Sequence, residues 1–261
     1  VARAAQTIDS KTLKTELTEA GNESLALEGL ARQQGFDTSA AHTAYVDAHN
    51  SLKILRIIKD KHKDNWEKFL GTSTKSSVES ILKGEGIYSI FENVKGRNMM
   101  YLVCTLHPAH CFHPSYASWG YLWDLRRDPE PFLNMSVNEL KANLKKISPK
   151  ALRVIKTNKA PIILDKKFAL KEKAYSSLDL EMIKKRAKLI RNNEKFCQNI
   201  QIINREAAEE KAQTKTQEDL LPEETLYEKF VPNKDTALFK VWHSSSWEDK
   251  LRMLDKFQDK R

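Results

Sequence analysis

Cysteine is scarce in this chain: Cys104, Cys111 and Cys197 are the only three among 261 residues. So sparse and odd a set makes a poor disulfide framework and fits a reducing compartment. Glycine is equally thin, at 8 residues, and none are spaced as a dinucleotide-binding or P-loop motif, which excludes those modes of nucleotide binding. No apolar run approaches the roughly 18 to 20 residues that a membrane span needs. The opening residues, VARAAQTIDSKTLK, lack the apolar stretch of a secretory signal. No internal repeat is visible. The chain starts on Val1 and stops on Lys260-Arg261; both ends read as cut, so a fragment is expected. Its length suffices for two or three buried cores.

Charge is abundant and unevenly placed. Lys and Arg number 44 against 35 Asp and Glu, a formal net charge of +9. Between Lys141 and Phe196 there are 17 basic and 5 acidic residues, whereas Arg205 to Glu228 holds 3 basic and 8 acidic. A basic block within a folded chain suits a polyanion, because neutralised phosphates release condensed counterions. An ordinary Lys-rich solvated surface fits the same count. The acidic segment reads most simply as a flexible linker.

Periodicity divides the chain into helix, β and helix. The pattern predicts a short helix from Ser24 to Gln34 closed by Gly35, then a longer one capped by Thr38 or Ser39. The apolar face of the second runs Ala41, Ala44, Tyr45, Ala48, Leu52, Leu55 and Ile58, close to a 3.6-residue period. It dissolves into the charged KDKHKDN. From Ile87 to Leu164 the runs IYSIF, MMYLVCTL, YLWDL, ALRVIKT and PIIL read as strands. They make a small, mostly β domain. One inserted helix opens at Ser136 with Glu139 three residues on, a capping box. Beyond Leu164 the periodicity is helical again.

The stretch TSAAHTAYVDAHN carries the first candidate chemistry. Two-metal phosphodiester hydrolysis needs carboxylates to hold the ions and a base, often histidine, to deprotonate the attacking water. On one regular helix, His42 and Asp47 would diverge by roughly 140°. With His42 in the loop or first turn and Asp47 inside the helix, both can address one pocket. The small Ala40, Ala41 and Ala44 permit close approach. A plain solvated helix start fits the same residues.

Leu27-Glu28-Gly29-Leu30, Gly35-Phe36 and Ala41-His42-Thr43-Ala44-Tyr45-Val46-Asp47-Ala48 together resemble the last motif of the DEDDh 3′-to-5′ exonucleases, and within them the bacterial exonuclease I family. Trp123-Asp124-Leu125, Asp128, Pro131 and Leu152 to Leu164 with Asn158-Lys159-Ala160-Pro161 resemble that family's SH3-like domain. Leu226-Tyr227 and Phe257 to Arg261 resemble its C-terminal helical domain. The resemblance implies an α+β multidomain fold. Residues 1–62 would end a ribonuclease H-like exonuclease domain, 63–167 form the SH3-like domain, and 168–261 an incomplete helical domain.

It also implies function. The whole protein would release mononucleotides from single-stranded DNA with Mg²⁺ at a two-metal site, in DNA repair or recombination. His42 matches the general base, Asp47 the last metal-binding aspartate, and Arg3 an arginine that helps to hold DNA. Thr43 departs from an acidic residue often found there. The family's remaining carboxylates have no counterpart in this chain, so the segment alone is expected to be inactive. A monomer in the bacterial cytoplasm, with single-stranded DNA-binding protein as a partner, is implied in the same way. Two other readings stay open: a non-catalytic single-strand clamp, and an RNA-directed exonuclease of the same superfamily.

Further residues invite weighing. Lys150, Arg153, Lys156 and Lys159, spaced by threes, span a β run with alternating sidedness, so some must face solvent and could contact phosphates. Lys184, Lys185, Arg186 and Lys188 form either a solvated face or a DNA-groove wall. Tyr116, Trp119, Tyr121 and Trp123 could stack bases, although a barrel core fits them better. Cys104, His107, His110, Cys111 and His113 mix zinc-type ligands at short spacing, but no second knuckle follows, and a structural loop is the simpler expectation.

Overall fold

The structure, a computed structural model, describes residues 1–214 and 230–259. Leu226-Tyr227, Lys260-Arg261 and most of the acidic segment lie outside them. The chain divides into two compact units, Val1–Glu206 and Ala207–Arg261. Among the described residues no helix is long and apolar enough to cross a membrane.

The first unit opens with helix α1 (Ala2–Ile8) and a minimal hairpin, β1 (Glu16–Leu17) with β2 (Glu23–Ser24). Four helices follow: α2 (Leu27–Gln33), α3 (Ala44–Lys61), α4 (Lys63–Leu70) and α5 (Lys75–Lys83). Helix α2 starts three residues later than the periodicity suggests, because Ser24 pairs in the hairpin. Its end is as expected. Gly35 sits at φ 77°, its N–H donates to Arg32 O, and the Phe36 N–H donates to Ala31 O. Those two bonds are the Schellman closure that a left-handed glycine permits.

Five strands then form one antiparallel sheet in the order β6-β5-β4-β3-β7. They are β3 (Ile87–Val94), β4 (Arg97–Thr105), β5 (Trp119–Asp124), β6 (Leu152–Lys156) and β7 (Ile163–Asp165), one from each of the five runs read as strands. Lys95 (φ 51°) and Gly96 (φ 81°) make the two-residue turn between β3 and β4. Two left-handed residues match the turn's twist to that of the strands. Helix α6 (Val137–Lys146) lies between β5 and β6, and Ser136 and Glu139 form the full capping box.

The core lies along the two inner strands. Tyr101, Leu102, Val103 and Cys104 of β4, with Tyr121, Leu122 and Trp123 of β5, are all 2% exposed or less. Helix α5 reaches β5 where Gly120 leaves room: a Cβ there would lie 2.3 Å from Leu82 Cδ1. Trp123 packs edge-on against Phe132 and Phe196. Tyr121 and Trp123 are therefore core, as favoured from sequence. Trp119 and Tyr116 are half-buried and pack against His113, Trp119 edge-on. Helices α7 (Leu180–Asn192) and α8 (Glu194–Thr214) follow, and Ile183, Ile190, Phe196, Cys197 and Ile200 turn into the core.

The second unit holds α9 (Asn233–Ser244) and α10 (Trp247–Met253). Its anchor is the buried Asp235, whose carboxylate accepts the Gln258 N–H at 2.9 Å and the Asp259 N–H at 2.7 Å. Phe257 packs on Phe239 and Trp242.

Candidate functional site

Helix α3 begins at Ala44 with Thr43 as its N-cap, not at Thr38 or Ser39. Three local features hold the preceding residues out of the helix. The Asp37 carboxylate accepts the Ser39 N–H, which also draws its pKa below the usual range. Ala41 and Thr43 close tight turns onto Thr38 and Ala40. His42 sits at φ 70°, a left-handed conformation that a helix cannot continue through.

This loop joins His42 to Asp47. The His42 backbone N–H donates to Asp47 Oδ1 at 3.2 Å. Asp47 thus caps the turn from within the first turn of α3. The imidazole itself points elsewhere: Nε2 lies 3.4 Å from Glu28 Oε2, and the side chain is 85% exposed. Glu28 in turn pairs with Arg32 at 2.9 Å. The corner therefore comprises Glu28, His42 and Asp47. Glu28 was visible in the sequence only as a motif letter. Its role as the imidazole's partner depends on α2 packing beside the loop.

Chemically, the corner offers an accessible imidazole facing the Glu28 carboxylate, with the Asp47 carboxylate bound to the backbone of the same histidine. Asp47 suits Mg²⁺ by donor type. Among the described residues, however, Glu28, His42 and Asp47 do not bring three ligand atoms around one point. These residues alone do not make a divalent-metal site, and no catalytic step through an ion follows from them.

The candidate phosphate contacts separate. Lys150, Lys156 and Lys159 are exposed, with Lys156 Nζ 5.3 Å from the Trp119 ring centre. Arg3 is exposed, and its Nε donates to Asn98 Oδ1 at 3.2 Å. Arg153 departs from the expectation, because positions three apart on a strand fall on opposite faces. It is 7% exposed, stacks 3.5 Å over Tyr101, and pairs with Glu92 at 2.9 Å and with the buried Asp124 at 3.6 Å. Asp124 also accepts from Arg126 at 2.8 Å and from the Tyr175 hydroxyl at 2.9 Å. Burial raises the pKa of Glu92 and that of Tyr175. Arg153 is thus a structural cation with no surface left for phosphate.

A better-formed basic surface lies on α7. A groove of about 480 Å³ is lined by Lys166, Lys184, Lys188 and Arg191, with Glu85 as its one acidic wall residue. Arg191 is fixed by donating to Gly84 O at 2.6 Å and Thr105 Oγ1 at 3.0 Å. The α7 lysines were legible as a basic face. Lys166 and Arg191 were not, because only the tertiary packing brings α7 and the end of β7 to one groove. The α7 cations are partly engaged: Arg186 donates to Leu125 O at 2.8 Å, Lys185 lies 3.8 Å from Glu130, Lys184 pairs with Glu181 at 2.8 Å, and Arg191 with Glu85 at 3.1 Å.

The five-residue Cys/His run is also split. Cys104 and Cys111 are buried, and burial pushes the Cys111 thiol up to about 11. Cys197 is raised equally. No cysteine joins a ligand cluster among the described residues.

Residues 96–206 match the family described as exonuclease I SH3-like domain. In sequence the chain is similar to exonuclease I over this stretch. Exodeoxyribonuclease I of Haemophilus influenzae is 26% identical over 164 residues, which cover 59% of this chain and 34% of that protein. Exonuclease I of Methylocaldum szegediense shares the fold, with a TM-score of 0.63 at 18% identity over 99% of this chain and 54% of that one. Escherichia coli exonuclease I in complex with a dA16 oligonucleotide gives a TM-score of 0.60 at 16% identity, over 99% of this chain and 56% of that one. The chain thus spans a third of the curated exonuclease I it matches and just over half of these structures.

Proposed function

We propose that this chain is part of a single-stranded-DNA 3′-to-5′ exodeoxyribonuclease that releases mononucleotides, in repair or recombination. Residues 1–62 would close an exonuclease domain, 63–167 form the SH3-like domain and 168–261 belong to the helical domain. The observation that carries this reading is the His42–Asp47 corner preceding an exonuclease I SH3-like domain in one chain. His42 would take the proton of the attacking water, and Asp47 would be one carboxylate ligand of Mg²⁺. The ions, when bound, polarise the phosphodiester and acidify that water. The exposure of His42 suits a base that must reach solvent and substrate. The lysines of the α7 groove would hold the strand's phosphates, with Lys150, Lys156, Lys159 and Arg3 as further contacts. The oligonucleotide on the Escherichia coli protein supports DNA as substrate. An exonuclease I complex with SSB-Ct supports the single-stranded DNA-binding protein as a partner.

The test uses the complete reading frame that contains this chain. With 5′-labelled single-stranded DNA and Mg²⁺, His42→Ala is expected to lose roughly 10² to 10⁴ in rate. An unchanged rate removes His42 from the mechanism. The four groove cations favour one second reading, a clamp that binds without cutting. On that reading the complete protein never shortens DNA, yet Lys166→Glu and Lys188→Glu still weaken binding and flatten its salt dependence. Preference for a strand bearing 2′-hydroxyls would point to RNA instead.

A further inference from the structure

The loop between β4 and β5 turns through a single 3₁₀ segment, Pro108–His110, with His107 as its N-cap. Residues three apart in such a turn eclipse one another, which brings the His107 and His110 rings to 5.6 Å between centres. Helix α8 approaches from the other side. Asn193 caps it by accepting the Phe196 N–H, and the buried Phe196, Cys197 and Ile200 set its rotation. That rotation leaves Glu194, Gln198 and Gln201 as a stripe at i, i+4 and i+7 facing the loop. One ligand atom each from His107, His110 and Glu194 then lie within 4.8 Å of one another.

The hydrogen bonds around His110 constrain its ring. Gln201 Nε2 donates to Phe112 O at 3.1 Å, so its amide oxygen must face His110 Nδ1, also at 3.1 Å. An amide oxygen can only accept, so Nδ1 carries the proton. In the neutral ring Nε2 is then a lone pair, aimed at Glu194 Oε1 from 3.2 Å. Two acceptors at that distance need a cation between them: a proton on the ring, or a metal. A histidine whose far nitrogen donates to a fixed oxygen is the usual arrangement behind a metal ligand. His107 brings a second imidazole beside the same carboxylate, beyond what the proton reading uses. Its Nδ1 meanwhile accepts a long 3.3 Å bond from the Ala109 N–H. Glu194 also accepts from Gln198 Nε2 at 3.3 Å, and the His110 side chain is only 15% exposed.

We propose that His107, His110 and Glu194 form a binding site for a late first-row divalent cation, Zn²⁺ above all, which staples the β4–β5 loop to the start of α8. Two imidazoles and one carboxylate are a donor set that suits Zn²⁺ and leaves a position for water. The neighbouring thiols are buried and take no part.

The test is calorimetric titration of the tag-free full chain with Zn²⁺, with thermal unfolding in parallel. One Zn²⁺ per chain is expected, with a raised Tm. His110→Ala and Glu194→Gln should each weaken binding by at least about tenfold, while His49→Ala changes nothing. Proton–nitrogen spectra of the histidine rings read the site without any substitution: Zn²⁺ should move His107 and His110 and leave His42 and His62 in place. The proposal is overturned if no saturable binding occurs by about 100 µM Zn²⁺, which leaves a plain His110–Glu194 ion pair. It is equally overturned if the shifted rings belong to other histidines.

Discussion

Two polar clusters in this chain both set carboxylates against nitrogen bases, yet they behave oppositely. At the start of α3, Glu28, His42 and Asp47 meet in an exposed corner, held largely by one backbone bond. In the sheet, Asp124, Arg126, Arg153, Glu92 and Tyr175 form a cluster around a fully buried aspartate. The difference is water. An exposed charge keeps its hydration and gains little from a partner, so it remains available to a ligand. A buried charge has lost its hydration, so its partners are obligatory and its chemistry is consumed by the fold.

That contrast can be broken by substitution. Asp124→Ala takes the buried carboxylate from Arg126 and the Tyr175 hydroxyl and leaves Arg153 with Glu92 alone, which is expected to cost about 3–5 kcal/mol, measured as a loss in urea unfolding free energy. An effect no larger than that of a surface substitution would mean that water reaches the cluster. Gly120→Val tests the apolar packing on the same strand. Its side chain must displace Leu82, so a loss of about 1–3 kcal/mol is expected, readable as a lower Tm.

Histidines sharpen the comparison through pH. His62 and His113 are 7% exposed, and burial lowers the pKa of each. The unfolded chain therefore binds protons that the folded chain refuses, so their contribution to stability is lost as pH falls through about 6.5. Urea midpoints should drop from pH 7 to pH 5, and the drop should shrink in His62→Gln. An unchanged drop would remove His62 as a source of the acid sensitivity. The smallest effect belongs to the exposed corner: His42→Ala should change unfolding free energy by less than about 0.5 kcal/mol. A larger loss would make His42 structural and weaken its assignment as a base.

Much of the scaffold was legible without coordinates. Each run from IYSIF to PIIL becomes a strand because β-branched and aromatic residues bounded by turn residues have little alternative. The Ser136–Glu139 box and the Gly35 closure are equally local, since a cap satisfies orphan groups within one turn of its own residue. The start of α3 was misplaced because Thr38 and Ser39 are good caps in isolation. The Asp37 turn and the left-handed His42 exclude them. Among the basic residues, the alternation along β6 was legible but which face would be buried was not, so Arg153 was grouped with its neighbours.

The sequence by itself determined the elements, their caps, the apolar runs that become the sheet, and the pairing of His42 with Asp47 across five residues, because all of these are decided within a turn or a strand. Only the tertiary structure decided which charges are buried and which remain free. It placed Arg153 over Tyr101, set Arg191 beside Lys166, and brought Glu194 to His110 across 84 positions. Those outcomes follow from which faces the helices bury against the sheet. Burial is a property of the packed whole: a side chain's charge is written in its own residue, but the water it keeps or loses is set by distant ones.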